Sequence, residues 1–133
     1  MASAPKDLSG EWDGAFTYPN GTGPVTPFLA TLAQRGASFT GTIIEPDLYF
    51  AGASAQATIV GIVAGHAVDF TKTYRKATMG YENPVDYVGQ LVDKGERITG
   101  VWSLLDLNGT FEMTRRGSTQ AQVEREETAE VGR

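Results

Sequence analysis

The segment Ile98-Thr99-Gly100-Val101-Trp102 places a glycine midway between two large apolar residues. Side chains in a β-strand alternate between the two faces of the sheet, so these three alternate residues share one face. Glycine inside a strand marks a sharp bend or a close packing contact. Further segments keep the same spacing, the last with Ala for Gly: Trp12-Gly14-Phe16, Phe39-Gly41-Ile43, Ile59-Gly61-Val63, Tyr87-Gly89-Leu91 and Phe28-Ala30-Leu32. The repetition predicts a strongly coiled sheet that closes into a small barrel.

Eight evenly spaced strands can be placed on the chain. They are predicted at Ser9–Tyr18, Thr26–Gln34, Ala37–Glu45, Ala55–Ala64, Ala67–Arg75, Pro84–Asp93, Arg97–Leu105 and Gly109–Arg115. The connections leave no room for the crossover helix that parallel neighbours need, which predicts an antiparallel meander. The expected fold is therefore all-β, an eight-stranded antiparallel up-and-down β-barrel. A two-sheet sandwich is the alternative, and the common phase of the glycines disfavours it.

The connections differ in length, which gives the predicted barrel two different ends. The tight turns are Arg35-Gly36, Gly65-His66 and Lys94-Gly95-Glu96; the longer connections are 19–25, 46–54 and 76–83, with a short one at 106–108. Successive turns of a meander alternate between the ends, so the tight turns and both chain termini gather at a closed end. The long connections frame a mouth at the other end, where ligand sites in barrels are common.

Composition limits the kind of function. The 133 residues suit one domain, with a lead at 1–8, a barrel at 9–116 and a polar, disordered tail at 117–133. The net charge of −5 and the lack of a basic cluster disfavour nucleic acid and anionic membrane surfaces as partners. No apolar run approaches the roughly 20 residues of a membrane-spanning helix, and no secretory leader is visible.

The chemistry available to the side chains is also restricted. Cysteine is absent, which excludes disulfides, thiol catalysis and cysteine-bound metals, and fits a cytoplasmic location. The one histidine, His66, falls in a tight turn at the closed end, where it is a poor metal or haem ligand. No phosphate-binding glycine loop or nucleophile elbow is present. We therefore expect no cofactor and no metal, and assign no catalytic residue.

Two short motifs connect the pattern to a known group of barrels. Gly10-Glu11-Trp12 on the first strand and Arg115 at the end of the eighth resemble the calycins, the group of lipocalins and avidins. The closing stretch 109–113 is similar to small bacterial barrels of this kind, whose function is uncharacterised. The resemblance implies that the Arg115 guanidinium lies over the Trp12 indole at the closed end, a contact worth about 0.5–2 kcal/mol. Gly14 stands where avidins have Asn, so the resemblance does not imply biotin binding.

Charged and hydroxyl-bearing side chains meet near the predicted mouth. Lys72 shares the inward phase of the fifth strand with Phe70 and Tyr74, and Glu45 has the inward phase of the third. Tyr18 and Tyr87 reach the same end by the same count. An inward lysine costs several kcal/mol unless it is paired. The candidate site contains Lys72, Tyr74, Tyr87, Tyr18, Glu45, Phe70 and Trp102, with Phe16 and Ile43 completing an apolar floor.

This site admits three interpretations. In the leading one, the mouth binds a small, partly apolar, amphipathic ligand without catalysis; Lys72 supplies charge and the tyrosines supply hydrogen bonds to a carboxylate or carbonyl group of the ligand. In the second, a Glu45–Lys72 ion pair plugs a solid barrel that serves as an interaction or structural module. In the third, a lysine with a lowered pKa catalyses an isomerase or cyclase reaction.

Two apolar sets lie outside the candidate site. The first, in the long connections, could form a lid, a partner surface or packing at the rim: Leu48, Tyr49, Phe50, Met79 and Tyr81. The second faces outward on the strands: Val60, Ile62, Val88, Val92 and Val101. Because a solvated face does not need so many apolar residues, we expect a homo-oligomer that pairs through these strands.

Overall fold

The fold is a closed eight-stranded barrel. The structure is a computed structural model that describes residues 7–18, 23, 25–46, 52–75 and 83–116. Its strands are β1 Gly10–Phe16, β2 Thr26–Arg35, β3 Ser38–Pro46, β4 Ser54–Ala64, β5 Ala67–Tyr74, β6 Val85–Val92, β7 Arg97–Leu104 and β8 Leu107–Arg115. Each strand pairs antiparallel with the next, and β8 returns to β1 with Phe111 opposite Phe16. The predicted meander barrel is confirmed, and its closure leaves none of these strands with a free edge.

The strand boundaries agree with prediction to within two residues, and the two-residue differences lie at the end of β1 and the start of β8. We predicted that β8 begins at Gly109 after the connection 106–108, whereas it begins at Leu107. Leu107 and Asn108 pair with Leu104 and Ser103 of β7, so the turn contracts to Leu105-Asp106. Two additional residue pairs of the β7–β8 ladder form here in spite of the turn-forming composition of the segment. One connection at the open end is therefore a tight hairpin.

Aromatic rings occupy the space beside several inward-facing glycines. A methyl group on Gly14 would lie 2.2 Å from the Phe28 ring, and one on Gly61 would lie 2.5 Å from the Phe39 ring. At Gly89 the ring of Phe111 takes the corresponding place. The pattern of glycines that predicts the barrel thus also makes room for its aromatic core.

The Gly89–Gly100 pair of neighbouring strands shows why the sheet can coil so tightly. The two residues are direct partners in the β6–β7 ladder. A methyl group on Gly100 would lie 2.5 Å from the Gly89 Cα and 2.1 Å from the Val88 carbonyl oxygen. Only glycine permits this approach, so the bend is built into the backbone at this point.

The closed end is held by Arg115 and Trp12, as the calycin resemblance implies. The Arg115 guanidinium lies 4.5 Å from the centre of the Trp12 ring. It also donates hydrogen bonds to the backbone carbonyls of Asp7 at 2.9 Å and Gly95 at 3.2 Å. The Trp12 indole donates to the carbonyl of Leu8, a fully buried residue, at 2.9 Å. These contacts tie the segment before β1 across the bottom of the barrel.

Candidate functional site

Lys72 lies inside the barrel near its open end. Strand β5 ends at Tyr74, and the alternation of the strand turns Phe70, Lys72 and Tyr74 to the same inward face. In the ladders Lys72 stands between Ile59 of β4 and Val85 of β6. Its residue surface is only 1% exposed. The sequence thus places the Lys72 ammonium group inside the barrel, as the alternation of side chains along β5 predicts.

Glu45 neutralises this charge. The Lys72 Nζ lies 3.1 Å from the Glu45 Oε2, and Glu45 is itself 3% exposed. The Tyr74 hydroxyl donates a short hydrogen bond to the other carboxylate oxygen, Oε1. Both oxygens of Glu45 therefore have partners, which is what makes a buried carboxylate tolerable. The predicted Glu45–Lys72 pair is present.

Three aromatic faces enclose the same ammonium group. The Lys72 Nζ lies 4.6 Å from the centre of the Tyr74 ring, 4.7 Å from that of Phe16 and 5.3 Å from that of Tyr87. Cations within about 6 Å of a ring face are attracted by its quadrupole, and the attraction grows when water is excluded. The cation is thus held by one carboxylate and three rings. We call Glu45, Lys72, Phe16, Tyr74 and Tyr87 the ammonium cage.

Burial changes the protonation chemistry of the cage. It lowers the pKa of Lys72 from its ordinary value of 10.5, and the attraction of Glu45 opposes this effect. It raises the pKa of the Tyr87 hydroxyl well above the ordinary value of 10.0, and the negative charge of Glu45 acts in the same direction. Tyr87 therefore stays a neutral phenol over the physiological range, whereas Lys72 gives up its proton more readily than a surface lysine.

The remaining predicted residues line the cage from below and from the side. Phe70 lies one layer deeper and stacks on Tyr87, with the ring centres 4.6 Å apart. Trp102 contacts the Phe16 ring and, at 5.7 Å, the Tyr18 ring. Its indole nitrogen donates to the carbonyl of Thr17 at 2.8 Å, which fixes the orientation of the ring. The floor of the site is therefore apolar.

All seven predicted site residues lie at the open end, but they do not form one shell. Lys72, Glu45, Tyr74 and Tyr87 form the polar part of the cage, whereas Tyr18 and Trp102 lie beside it: both contact the Phe16 ring, and Trp102 is the ladder partner of Tyr87. The sequence interpretation missed Phe111, which meets the edge of the Tyr87 ring at 4.9 Å. The inward phase of Gly109, Phe111 and Met113 on β8 was the available signal. The apolar set of the long connections, with its three interpretations as a lid, a partner surface or rim packing, lies outside the described residues: Leu48, Tyr49, Phe50, Met79 and Tyr81.

The described part of the chain supplies few other candidates for a site. Among residues 7–18, 23, 25–46, 52–75 and 83–116, no group of three or more His, Asp or Glu side chains could hold a metal ion. Within the same ranges, no helix is long and apolar enough to cross a membrane. The ammonium cage is thus the feature on which a functional argument can be built.

Comparison with known proteins shows the fold. No protein-family model matches the chain, and no curated protein matches its sequence. The chain is similar to apo shwanavidin, with a TM-score of 0.55, 15% identity, and coverage of 85% of this chain and 100% of that one. It is also similar to a shwanavidin variant in complex with biotin, with a TM-score of 0.54, 15% identity, and coverage of 83% and 98%. The barrel therefore has the fold of these avidin-like structures.

The lowered pKa of Lys72 predicts a pH dependence of stability. Between the folded-state pKa and 10.5 the unfolded chain binds more protons at this site than the folded one, so stability rises with pH. We expect wild type to gain free energy of unfolding relative to Lys72→Met as the pH rises through this window. Urea unfolding of both proteins over a pH series measures it, and parallel curves up to pH 10.5 would contradict the buried-amine assignment.

Proposed function

We propose that the open end of the barrel binds a small, partly apolar ligand without catalysis, at the ammonium cage. The observation that carries this proposal is a lysine buried inside the barrel at 1% exposure, paired with Glu45 at 3.1 Å and faced by three rings. Apolar walls with a few convergent polar groups are the usual composition of a small-molecule site. Lys72, Tyr74 and Tyr87 would orient the polar part of the ligand, and Phe70, Trp102 and Tyr18 would border its apolar part.

Stability alone is a weak reason to keep such a pair. Replacing a buried ion pair by apolar residues of similar volume is often neutral or stabilising by about 1–4 kcal/mol. Elsewhere the interior of the barrel is filled by apolar side chains, with the rings of Phe28, Phe39 and Phe111 beside the inward glycines. Glu45 and Lys72 depart from this apolar packing at the open end, where β3 and β5 end. Recognition of a ligand accounts for this departure better than packing does.

The shared architecture supports a binding function but not a particular ligand. A shwanavidin variant of the same fold has been solved with biotin. In this chain Gly14 stands where avidins have Asn, and the Phe28 ring occupies the space beside it. A buried carboxylate and ammonium also lie at the mouth. The proposed ligand is therefore a molecule other than biotin, and biotin serves as a useful negative probe.

Native mass spectrometry of the purified protein, compared with the denatured protein, tests the proposal. We expect a mass excess that disappears on denaturation and is absent from Lys72→Met. The matched control is Lys94→Met, because Lys94 is an exposed lysine in a turn at the closed end. The control should keep the mass excess of the wild type, and circular dichroism should show both variants folded.

A clean apo mass for wild type would contradict the binding proposal. It would favour the second candidate, a solid barrel that acts as an interaction or structural module, which is supported by the buried Glu45–Lys72 ion pair and by the rings beside Gly14, Gly61 and Gly89. In that case Lys72→Met should change only the stability. A cytoplasmic location and an isomerase or cyclase activity of Lys72 stay predictions of the sequence.

We also propose that the outer face of the barrel pairs with a second copy of the chain. Ile62, Val88 and Val101 lie on neighbouring rungs with only Asp69 between them, and each is more than half exposed at 57%, 54% and 52%. Val60, on an adjacent rung, is 62% exposed. Val92, the fifth residue of the predicted set, is half-buried and contributes less. An exposed apolar patch on β4, β6 and β7, interrupted only by Asp69 of β5, is typical of an interface.

Sedimentation velocity of wild type and Val88→Lys tests the pairing. We expect wild type to sediment as a dimer or larger, and Val88→Lys to shift towards the monomer because the new ammonium must lose its water in the interface. Thr31→Lys, on the outer face of β2, is the matched control and should sediment like wild type. A monomeric wild type at all concentrations would remove this proposal.

A further inference from the structure

The charge balance of the ammonium cage narrows the class of ligand, if the proposed binding function holds. Glu45 and Lys72 carry opposite charges and already neutralise each other at 3.1 Å. A ligand carboxylate would place a second anion beside Glu45, and a ligand cation would compete with Lys72 for the same carboxylate and rings. Like charges at close range in a water-poor site are strongly unfavourable. A neutral polar group is therefore the ligand head that fits this cage.

We propose that this neutral group is an aldehyde carbonyl and that the Lys72 amine forms an imine with it. Lys72 passes one proton to Glu45, and its nitrogen adds to the carbonyl carbon as the C=O π bond breaks; one of the two protons left on the nitrogen then moves to the oxygen to give a carbinolamine. Glu45 returns the proton to the carbinolamine oxygen, the C–O bond breaks and water leaves. A protonated C=N bond then joins the ligand to Lys72. The net change is one ammonium and one aldehyde to one iminium and one water, with no oxidation or reduction.

The arrangement of the cage suits the product as well as the reactant. The iminium carries the same single positive charge on the same nitrogen as the ammonium it replaces. Glu45 stays the counter-ion, held in place by the Tyr74 hydroxyl on its other oxygen. The rings of Phe16, Tyr74 and Tyr87, with centres 4.6–5.3 Å from that nitrogen, continue to face a cation. The site therefore needs no new charge compensation when the covalent bond forms.

The apolar surroundings indicate the rest of the ligand. Phe16 contacts Trp102 edge to face, and Phe70 stacks on Tyr87, so aromatic side chains border the cage on two sides. An aromatic border of this kind favours a planar, conjugated or aromatic chain attached to the aldehyde. Burial also lowers the pKa of Lys72, which raises the share of neutral, nucleophilic amine relative to an exposed lysine.

Reductive trapping with cinnamaldehyde, a flat conjugated aldehyde, tests the inference. The full-length protein is incubated with the aldehyde and a limiting amount of cyanoborohydride, and the product is analysed by intact mass and peptide mapping. Each reduced adduct adds the mass of the aldehyde less one oxygen atom. The competing amines are Lys6, Lys76, Lys94 and the N-terminus. We expect Lys72 to be modified about tenfold faster than the exposed Lys94, although burial alone would make it the slower of the two.

Two variants separate the chemistry from packing. Lys72→Arg keeps a cation for Glu45 but gives no reducible adduct at this position, whereas Lys94→Arg should leave the modification of Lys72 unchanged. Glu45→Gln removes the counter-ion of the iminium. Before reduction, the long-wavelength absorption of the protonated imine should therefore be weaker in Glu45→Gln than in wild type at the same pH, a change that a purely structural role would not produce.

The outcomes distinguish this inference from the function on which it rests. A cinnamaldehyde complex in the native mass spectrum with no reduced adduct on Lys72 would overturn the imine and leave non-covalent binding intact. Adducts on Lys94 and the N-terminus alone would overturn it in the same way. No complex, no adduct on Lys72 and a clean apo mass of the purified protein would overturn both proposals.

Discussion

The closed barrel gives an inward-facing side chain no route to bulk water except through the open end. Strand alternation fixes Lys72 on that inward face, between Ile59 and Val85. Its charge must therefore be compensated inside the barrel, and Glu45 and three aromatic faces provide that compensation. The other features of the site follow from this requirement: the second hydrogen bond to Glu45, the orientation of the rings around Nζ, and the shift in the pKa of Lys72.

The barrel divides into two layers with different physical roles. At the closed end, Arg115 lies over Trp12 and caps backbone carbonyls, and the interior is apolar. This layer supports the fold and has the arrangement expected from the calycin resemblance. At the open end, charge and hydroxyl groups replace apolar contacts at a cost in desolvation. The barrel therefore has an apolar base and a chemically distinct open end.

Much of this arrangement could be predicted from the sequence, because it depends on the alternation of side chains along a strand and of turns along a meander. A period of two puts Glu45 and Lys72 inside, and the alternation of turns puts them at the same end. The hydrogen bond from Tyr74 to Glu45 and the choice of Phe16 as a ring over Nζ depend on rotamers and on the stagger between strands, which the sequence does not reveal. Whether inward glycines leave a void or admit rings depends on the same details. The start of β8 was missed because backbone pairing prevailed over local turn preference.

We propose that the Glu45–Lys72 pair serves the recognition of a ligand rather than the stability of the fold. The most direct test is the free energy of unfolding of the double variant Lys72→Met/Glu45→Leu in urea, with the native mass spectrum of the same sample. We expect the double variant to be as stable as wild type, or more stable by up to about 4 kcal/mol, and to retain no ligand. A double variant that is several kcal/mol less stable than wild type, or that still retains the ligand, would contradict it.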